Sequence, residues 1–296
     1  MSMGRLRKAF CMLALDSRTE TRSVRRVAGM GYRALNIGAA AVLAFTALSC
    51  SGDRRGPQVD LGDGLKLEMV WCPAGTFMVG SPPTETGRDD ETQHQVTLTK
   101  GFWIGKYEVT QAQWGAVMGS NPSTFANAGR TAPVELVSWD DCQEFVRKVN
   151  ARVPGGGFRL PTETEWEYAC RAGTTTALNN GKELTSETGR CPNLDEVAWY
   201  RANGGMTAHP VGEKLANAWG LYDMHGNVWE WCEDWYGNYP SGSVSDPKGP
   251  GSGSDRVARG GGWDNSASKF GSALRRSYGP NYRGDCLGLR LARDAQ

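Results

Sequence analysis

Glycine and tryptophan recur together along this chain, which holds 39 Gly and 11 Trp among its 296 residues. Glycine is frequent where a chain turns sharply, and the wide indole ring can fill the space between irregular segments. The combination predicts a core built between loops, with little regular secondary structure. At this length, one large domain is the simplest arrangement.

The first fifty residues have the layout of an export signal. Arg33 precedes an apolar run from Ala34 to Leu48, which is shorter than the ~20 residues that a membrane-spanning helix needs. Ala-Leu-Ser-Cys then ends the run and resembles a bacterial lipobox, which makes Cys50 the expected lipidation site. A buried core helix of a cytoplasmic protein is the alternative interpretation of the same run.

These features divide the chain into three parts. Residues 1–50 are interpreted as the signal segment, with Met30 as a candidate for the true start, because the preceding residues are long and mixed in charge for a signal. Residues 51–64 are interpreted as a flexible tether, and 65–296 as the folded domain. Ser51 after the lipidated cysteine resembles the sorting choice for the outer membrane, so we expect a lipid-anchored protein of the bacterial cell envelope, displayed at the surface.

Charge and cysteine content narrow the possible partners. The 33 basic and 32 acidic side chains give a net charge of +1, so nucleic acid is not an expected partner and the membrane is reached only through the lipid anchor. Of the eight cysteines, six remain after Cys11 and Cys50 are set aside; an oxidising compartment allows disulfides among them, but the sequence does not choose a pairing. No coiled-coil pattern is present, so a monomer is expected.

Short strands and three capped helices are expected in the body of the chain. Two segments, LKLEMVWCPAGTFMVGS from Leu65 and HQVTLTKGFWIGKYEVT from His94, each favour a pair of strands. Thr110, Ser138 and Thr162 can each begin a helix as its N-cap residue. The acidic residues that follow Thr162 are then expected to be structural, because a helix start favours negative charge.

Common catalytic patterns are missing from the sequence. There is no glycine-rich phosphate loop, no nucleophile elbow and no CxxC pair. His94, His209 and His225 stand alone, so we interpret them as surface or hydrogen-bonded residues. Classical nucleophilic hydrolysis and a zinc site are therefore not expected.

Seven motifs in order resemble the formylglycine-generating enzyme (sulfatase-modifying factor) family. They cover the chain from about residue 65 to its end and read PAGTFMVGS, FWIGKYEVTQAQW, PVELVSWDDCQEF, RLPTETEWEYACRAG, NAWGLYDMHGNVWEWCEDW, RGGGW and LGLRLA. The resemblance implies an α+β fold of the C-type lectin-like kind, with few regular elements and a twisted mixed sheet. This expectation agrees with the glycine and tryptophan content.

The same resemblance implies calcium as a structural ion. In GNVWEW the carboxylate of Glu230 lies between two tryptophans, where it must be paired, hydrogen-bonded or bound to a metal. The family pattern implies a hard-ion site made by Glu230 and the carbonyls of His225, Gly226 and Val228. An ion pair with an arginine, or hydrogen bonds from backbone N–H groups, is the alternative. A second calcium site maps to Asn193, Leu194, Asn203 and Gly205, although Asn203 replaces the family's aspartate.

Oxidase members of the family bind copper through two cysteines just after the glycine-rich turn. The matching positions here are Asn265 and Phe270, and neither can replace a thiolate as a ligand for Cu(I). Copper is therefore not an expected cofactor, and no catalytic residue is assigned.

The segment that follows this turn resembles the variable region of proteins diversified by retroelements, several of which share the lectin-like fold. Its tyrosines and phenylalanine among small polar residues have the composition of an adaptable recognition surface, although any of these aromatics could instead be packed in the core. Trp263, Arg290 and Leu291 are expected to be the buried framework. The predicted ligand-binding residues are Asp264, Asn265, Ser266, Ser268, Lys269, Phe270, Gly271, Ser277, Tyr278, Gly279, Asn281, Tyr282, Gly284, Asp285 and Cys286.

Three functions are consistent with these observations. The leading hypothesis is a surface lipoprotein whose non-catalytic domain binds a protein or another macromolecule through residues 264–286. The second is a formylglycine-generating or related oxidoreductase that acts on protein cysteine without the usual pair. The third is a structural envelope protein. An ordinary polar loop, rather than a diversified one, remains open for residues 264–286.

Overall fold

A computed structural model describes residues 55–83 and 90–295 of the chain. The predicted signal segment, with Met30 and Cys50, lies outside these residues. The elements, in chain order, are β1 (Arg55–Gly62), β2 (Leu65–Cys72), β3 (Gly75–Val79), β4 (His94–Leu98), β5 (Phe102–Gly105), α1 (Gln111–Met118), α2 (Trp139–Arg152), β6 (Phe158–Arg159), α3 (Glu163–Arg171), α4 (Pro192–Asp195), β7 (Trp229–Trp235), β8 (Val244–Ser245), β9 (Arg256–Arg259), β10 (Arg275–Tyr278), β11 (Leu287–Leu289) and β12 (Ala292–Asp294).

The strands form three small sheets with long irregular connections between them. Their orders are β1-β2-β5-β12-β6, β10-β9-β7-β11 and β3-β4-β8. The β11–β7 and β4–β8 pairs are parallel and the other ladders are antiparallel. The predicted α+β class is therefore confirmed.

Tryptophan fills the core where the sheets and helices meet. Trp229 and Trp231 of β7 lie in one hydrophobic cluster with α1 and α2, and Trp166 of α3 lies in a second cluster with Cys232 of β7. All three indoles are buried. Strand β7 thus lies between the two clusters and carries its side chains into both.

All three predicted helices are present, with the predicted N-cap residues. Thr110, Ser138 and Thr162 begin α1, α2 and α3, and each side chain accepts a hydrogen bond from the backbone N–H of the third helical residue. Each start is a capping box in which the side chain of that third residue accepts from the N-cap backbone. Among the described residues, no helix combines the length and the apolar character needed to cross a membrane.

The predicted tether is wrong over most of its length. Residues 55–62 form β1, which pairs with β2 in antiparallel register. Val59 and Leu61 are buried in the main hydrophobic cluster, because alternate residues of a strand point to the same face of a sheet. The described domain therefore begins about ten residues before the predicted boundary at 65.

The predicted strand pairs are also wrong, although the strands themselves are present. Strands β2 and β3 do not pair with each other, since β2 lies between β1 and β5 while β3 pairs with β4. Strands β4 and β5 likewise belong to different sheets. Leu67 and Met69 of β2 lie in one hydrophobic cluster and Val70 and Cys72 in the other, so both faces of β2 are packed while β1 and β5 cover its two edges.

The burial of β1 gives a direct test of the corrected boundary. Leu61→Ala should lower the free energy of unfolding by about 2–5 kcal/mol, because the methyl groups it removes are packed in the core. The exposed neighbour Asp60→Ala should change it by about 0.5 kcal/mol or less. Chemical denaturation measures both values, and equal small effects would show that residues 55–62 are a tether after all.

Candidate ligand-binding surface

The glycine-rich turn after β9 determines how the predicted binding segment is held. Gly261 has a φ of 84°, and a Cβ atom there would lie 2.5 Å from the ring of Phe270. Only glycine adopts this backbone region without strain and leaves room for that ring. Trp263 follows the turn, is buried, and donates from its indole nitrogen to the carbonyl of Asp285 at 2.9 Å.

A buried arginine holds the middle of residues 264–286 by hydrogen bonds to its backbone. Arg259 is fully buried and donates to the carbonyls of Ser272, Ala273 and Leu274. It also forms an ion pair with Glu167 of α3. The backbone at 272–274 is therefore held to the core, between the two halves of the predicted binding segment. Trp263, Arg290 and Leu291, the predicted framework, are all buried as expected.

Three of the predicted ligand-binding residues are wrong because their side chains or backbone are buried. Phe270 is 0% exposed and packs with Leu178 and Tyr200, whose ring meets it edge-on at 5.7 Å. Gly271 and Gly284 are also buried. Phe270 is therefore a core residue, and the two glycines are buried backbone positions rather than ligand contacts.

The other predicted residues are at least partly exposed, and we call them the Asp264–Cys286 surface. They are Asp264, Asn265, Ser266, Ser268, Lys269, Ser277, Tyr278, Gly279, Asn281, Tyr282, Asp285 and Cys286.

An aromatic pair dominates one half of the Asp264–Cys286 surface. The rings of Tyr278 and Tyr282 stack with their centroids 4.8 Å apart, and Trp231 supports Tyr278 edge-on at 6.0 Å. Tyr282 is 48% exposed. Beside it, Arg283 forms an ion pair with Asp141 at 2.7 Å. A rigid, half-exposed tyrosine stack loses little conformational entropy on binding, which suits recognition.

Asp264 and Cys286 converge over the backbone of Gly262. A Cβ atom on Gly262 would lie 3.0 Å from Cβ of Cys286 and 3.3 Å from Oδ1 of Asp264. Burial, followed by the charges of Asp264 and Asp285, raises the pKa of the Cys286 thiol to about 12. This thiol is therefore held in its unreactive protonated form at neutral pH.

The effect of the Asp264 charge on the pKa of the Cys286 thiol can be tested by alkylation. Asp264→Asn should lower the pKa of Cys286, because it removes a negative charge that opposes the thiolate. Iodoacetamide should then label Cys286 faster at pH 8–9, as followed by mass spectrometry of its peptide. Asp285→Asn is the matched control and should have a smaller effect in the same direction. An unchanged labelling rate in both variants would mean that Asp264 does not act on the thiol.

The other half of the Asp264–Cys286 surface is a turn held by a neighbouring loop. Arg201 donates through Nε to the carbonyl of Asp264 at 2.7 Å, and its backbone N–H donates to the carbonyl of Asn265. The backbone N–H of Ser268 donates to the carbonyl of Glu187. Lys269 is exposed at the end of this turn.

Asn265 and Phe270, at the family's two copper positions, do not fit copper. The side-chain oxygen of Asn265 accepts from the backbone N–H of Gly262 at 3.1 Å and closes the turn. Phe270 is a core ring. An amide oxygen and a hydrocarbon ring are not ligands for soft Cu(I).

Glu230, the acidic residue of the implied calcium site, has protein partners in the structure. Its carboxylate lies 2.7 Å from a terminal nitrogen of Arg290 and also accepts from the indole N–H of Trp166 at 2.7 Å. Glu230 and Arg290 are both fully buried. The ion pair, which was the alternative interpretation, already offsets the cost of burying the carboxylate. The acidic residue that the implied site combines with the carbonyls of His225, Gly226 and Val228 is therefore paired with Arg290 in the structure.

Asn203, in the second implied calcium site, also has protein partners. Asn203 accepts the backbone N–H of Tyr200 through Oδ1 at 2.9 Å and donates through Nδ2 to the carbonyl of Ala198. Its amide closes a turn near α4, where Asn193 and Leu194 lie. The site therefore lacks the carboxylate of the family pattern, and the amide of Asn203 already has protein partners; Gly205 belongs to the same turn region.

Two acidic residues of α3, which we predicted to be structural, form ion pairs with arginines. Glu163 is paired with Arg275 and Arg259, and Glu167 is paired with Arg171 and Arg259. The six cysteines of the described residues are free thiols, of which all but Cys286 are buried.

The three histidines are hydrogen-bonded, as predicted, but two of them are buried. His209 contacts the carbonyl of Gly204 at 2.7 Å. His225 accepts from the backbone N–H of Asn179, and burial lowers its pKa to about 3. His94 is only 6% exposed and lines a cavity with Asp234. Sequence reasoning missed this cavity, because His94 and Asp234 lie on strands of different sheets.

The chain is similar to several known proteins in sequence and in structure. The family described as "Sulfatase-modifying factor enzyme 1-like domain" matches residues 63–295. A protein from Paenibacillus barcinonensis named "Chaperone protein LppX" is 31% identical over 86% of this chain and 96% of its own length. A formylglycine-generating enzyme from Streptomyces coelicolor is 37% identical, over 66% of this chain and 61% of its own length. The solved structure of Treponema denticola variable protein 1 has a TM-score of 0.71 and 31% identity, covering 81% of this chain and 99% of that chain.

Proposed function

Because the chain belongs to the sulfatase-modifying factor enzyme 1-like family, with its C-type lectin-like α+β fold, we propose that it is a non-catalytic member that binds a macromolecular ligand through the Asp264–Cys286 surface. The proposal is supported by what occupies the family's copper positions and by what surrounds them. The positions of the oxidase cysteines hold Asn265 and Phe270, which serve the fold. The residues around them present an exposed tyrosine stack and separate charges.

A protein ligand is the expected class of partner. Stacked Tyr278 and Tyr282 provide amphipathic contact area, while Asp264, Asp285 and Lys269 provide charge selection of both signs. The similarity to a protein named a chaperone and to one named a variable protein supports a binding role over chemistry. The second of these also supports the interpretation that residues 264–286 are diversified.

Display at the bacterial cell surface belongs to the same proposal. The lipobox-like sequence before Cys50 supports a lipid anchor, with Ser51 favouring the outer membrane. A monomer is proposed, anchored at one end and with its binding surface free.

An oxidoreductase that acts on protein cysteine is the competing function, favoured by the 37% identity to a formylglycine-generating enzyme. An oxidation assay separates the two. The protein, loaded with copper under oxygen, is incubated with a cysteine-containing peptide, and the peptide is analysed by mass spectrometry beside a formylglycine-generating enzyme as the positive control. We expect no product above the copper-only background. Copper-dependent aldehyde formation would overturn the binding proposal.

A further inference from the structure

The cavity that contains His94 and Asp234 lies between the start of α3, the end of β7 and the chain after β8. Its volume is about 350 Å³, which is within the usual range of small-molecule sites. Its walls are mainly apolar and include Trp235, Tyr239, Pro240, Pro247 and Pro250. Two of the polar side chains that line it, His94 and Asp234, lack a partner that their chemistry requires.

The first is the ring of His94. The residue is 6% exposed, and its Nδ1 lies 3.1 Å from the carbonyl of Thr92. A carbonyl can only accept, so Nδ1 carries the proton and Nε2 of the neutral ring presents a lone pair. Within the described part of the chain, Nε2 is buried and has no hydrogen-bond partner. The ring edge is held against Tyr239, with centroids 4.9 Å apart.

The second is the carboxylate of Asp234, which is 4% exposed. Its Oδ2 accepts the backbone N–H of Glu163 at the start of α3, at 2.8 Å. No ion pair to Asp234 is found among residues 55–83 and 90–295. Burial, and then the neighbouring charge of Glu163, raises the pKa of Asp234 to about 8. The group is therefore mostly protonated at neutral pH, and a cationic ligand that binds its carboxylate form lowers this pKa.

The other charged groups that line the cavity are already accounted for. Glu163 and Arg275 form a two-point ion pair, with nitrogen–oxygen distances of 2.6 and 2.8 Å. The remaining Arg275 nitrogen donates to the carbonyls of Asp90 and Gly237. Lys248 is the other cation of the lining and is exposed to solvent. Among the described residues of this lining, Asp234 is therefore the acidic group without a cation beside it, and its carboxylate is the form that a cationic ligand stabilises.

We propose that this cavity binds a small primary ammonium ion whose carbon chain lies on the proline and aromatic walls. The ammonium group donates one hydrogen bond to Nε2 of His94 and one to the carboxylate of Asp234. The ammonium group thus supplies both a hydrogen-bond donor for Nε2 and a counter-charge for the carboxylate. An anion is disfavoured by Asp234, and a neutral alcohol supplies the donor but not the charge. The site is separate from the Asp264–Cys286 surface and does not depend on the function proposed for it.

The test compares three probes of one size by NMR titration of the labelled protein at about pH 8, near the pKa of Asp234. n-Butylammonium should produce saturable shifts at the backbone amides of Gly237 and Gly249, which line the cavity. n-Butanol should bind roughly 10-fold more weakly or worse, because a hydrogen bond to a charged group contributes more than a neutral one. Butyrate should not bind there. Equal binding of the alcohol and the ammonium ion, or no saturable shift with the ammonium ion, overturns the proposal.

Two substitutions and one matched control locate the binding. Asp234→Asn keeps an acceptor for the Glu163 N–H and should weaken butylammonium binding roughly 10- to 100-fold. His94→Phe keeps a ring against Tyr239, removes Nε2, and should weaken binding by a smaller factor. Lys248→Gln removes the cation from the lining and should leave binding unchanged or tighter. If Asp234→Asn does not fold, His94→Phe and the alcohol comparison still decide; full affinity in both cavity variants would place the ammonium ion elsewhere.

Discussion

Glu230→Gln is expected to lower the free energy of unfolding by about 3–5 kcal/mol, because it leaves the guanidinium of Arg290 buried without its counter-charge. Arg290 also donates to the carbonyls of Gly105 and Tyr222, at 2.9 and 2.8 Å. The ion pair therefore joins β5 and the loop before β7 to the strand that carries Glu230. Chemical denaturation at neutral pH measures the loss.

A double variant and a chelator make this prediction specific. Glu230→Gln combined with Arg290→Met removes both charges and should cost less than the single change, since an apolar replacement of a whole buried pair is often tolerated. Wild-type protein should show the same denaturation midpoint with and without EGTA. A calcium-dependent rise in the midpoint that disappears in Glu230→Gln would show instead that the carboxylate binds a metal.

Phe270→Ala is the second change with a large expected effect, at about 3–5 kcal/mol of unfolding free energy. The ring is fully buried between the turn at Gly261 and a cluster that includes Leu178 and Tyr200, so its removal leaves a cavity. Phe270→Leu should cost about 1.5 kcal/mol or less if the cluster repacks. Tyr282→Ala, in the exposed half of the same segment, should change stability by about 0.5 kcal/mol or less. Similar losses at Phe270 and Tyr282 would contradict the division between core and surface.

Local features of the fold were predictable from sequence. The three capping boxes at Thr110, Ser138 and Thr162 involve residues only three positions apart, so the sequence contains both partners of each hydrogen bond. Strand partners were not predictable in this way. The edges of β2 are covered by β1 and β5, and the alternation of Val59 and Leu61 is too short to distinguish a strand from a tether.

The candidate sites, too, could be predicted from the sequence only in part, because they depend on contacts between residues far apart in the chain. The sequence of residues 264–286 predicted a recognition surface, but it could not separate Phe270 from Tyr282, because the difference depends on a pocket made by Leu178 and Tyr200 elsewhere in the chain. Glu230 required a partner of some kind, and only the three-dimensional structure selects Arg290. His94 and Asp234 became a candidate site only once the cavity brought them together.

On the proposed function, the solvent-accessible positions of residues 264–286 form a diversified binding surface on a fixed core. Deep sequencing of codons 263–287 in a population grown from the source organism tests this proposal. We expect substitutions to concentrate at partly or fully exposed positions such as Asp264, Lys269, Asn281 and Tyr282, with Trp263, Phe270 and Gly284 unchanged. A uniform sequence throughout, or substitutions spread equally over the buried residues, would contradict it.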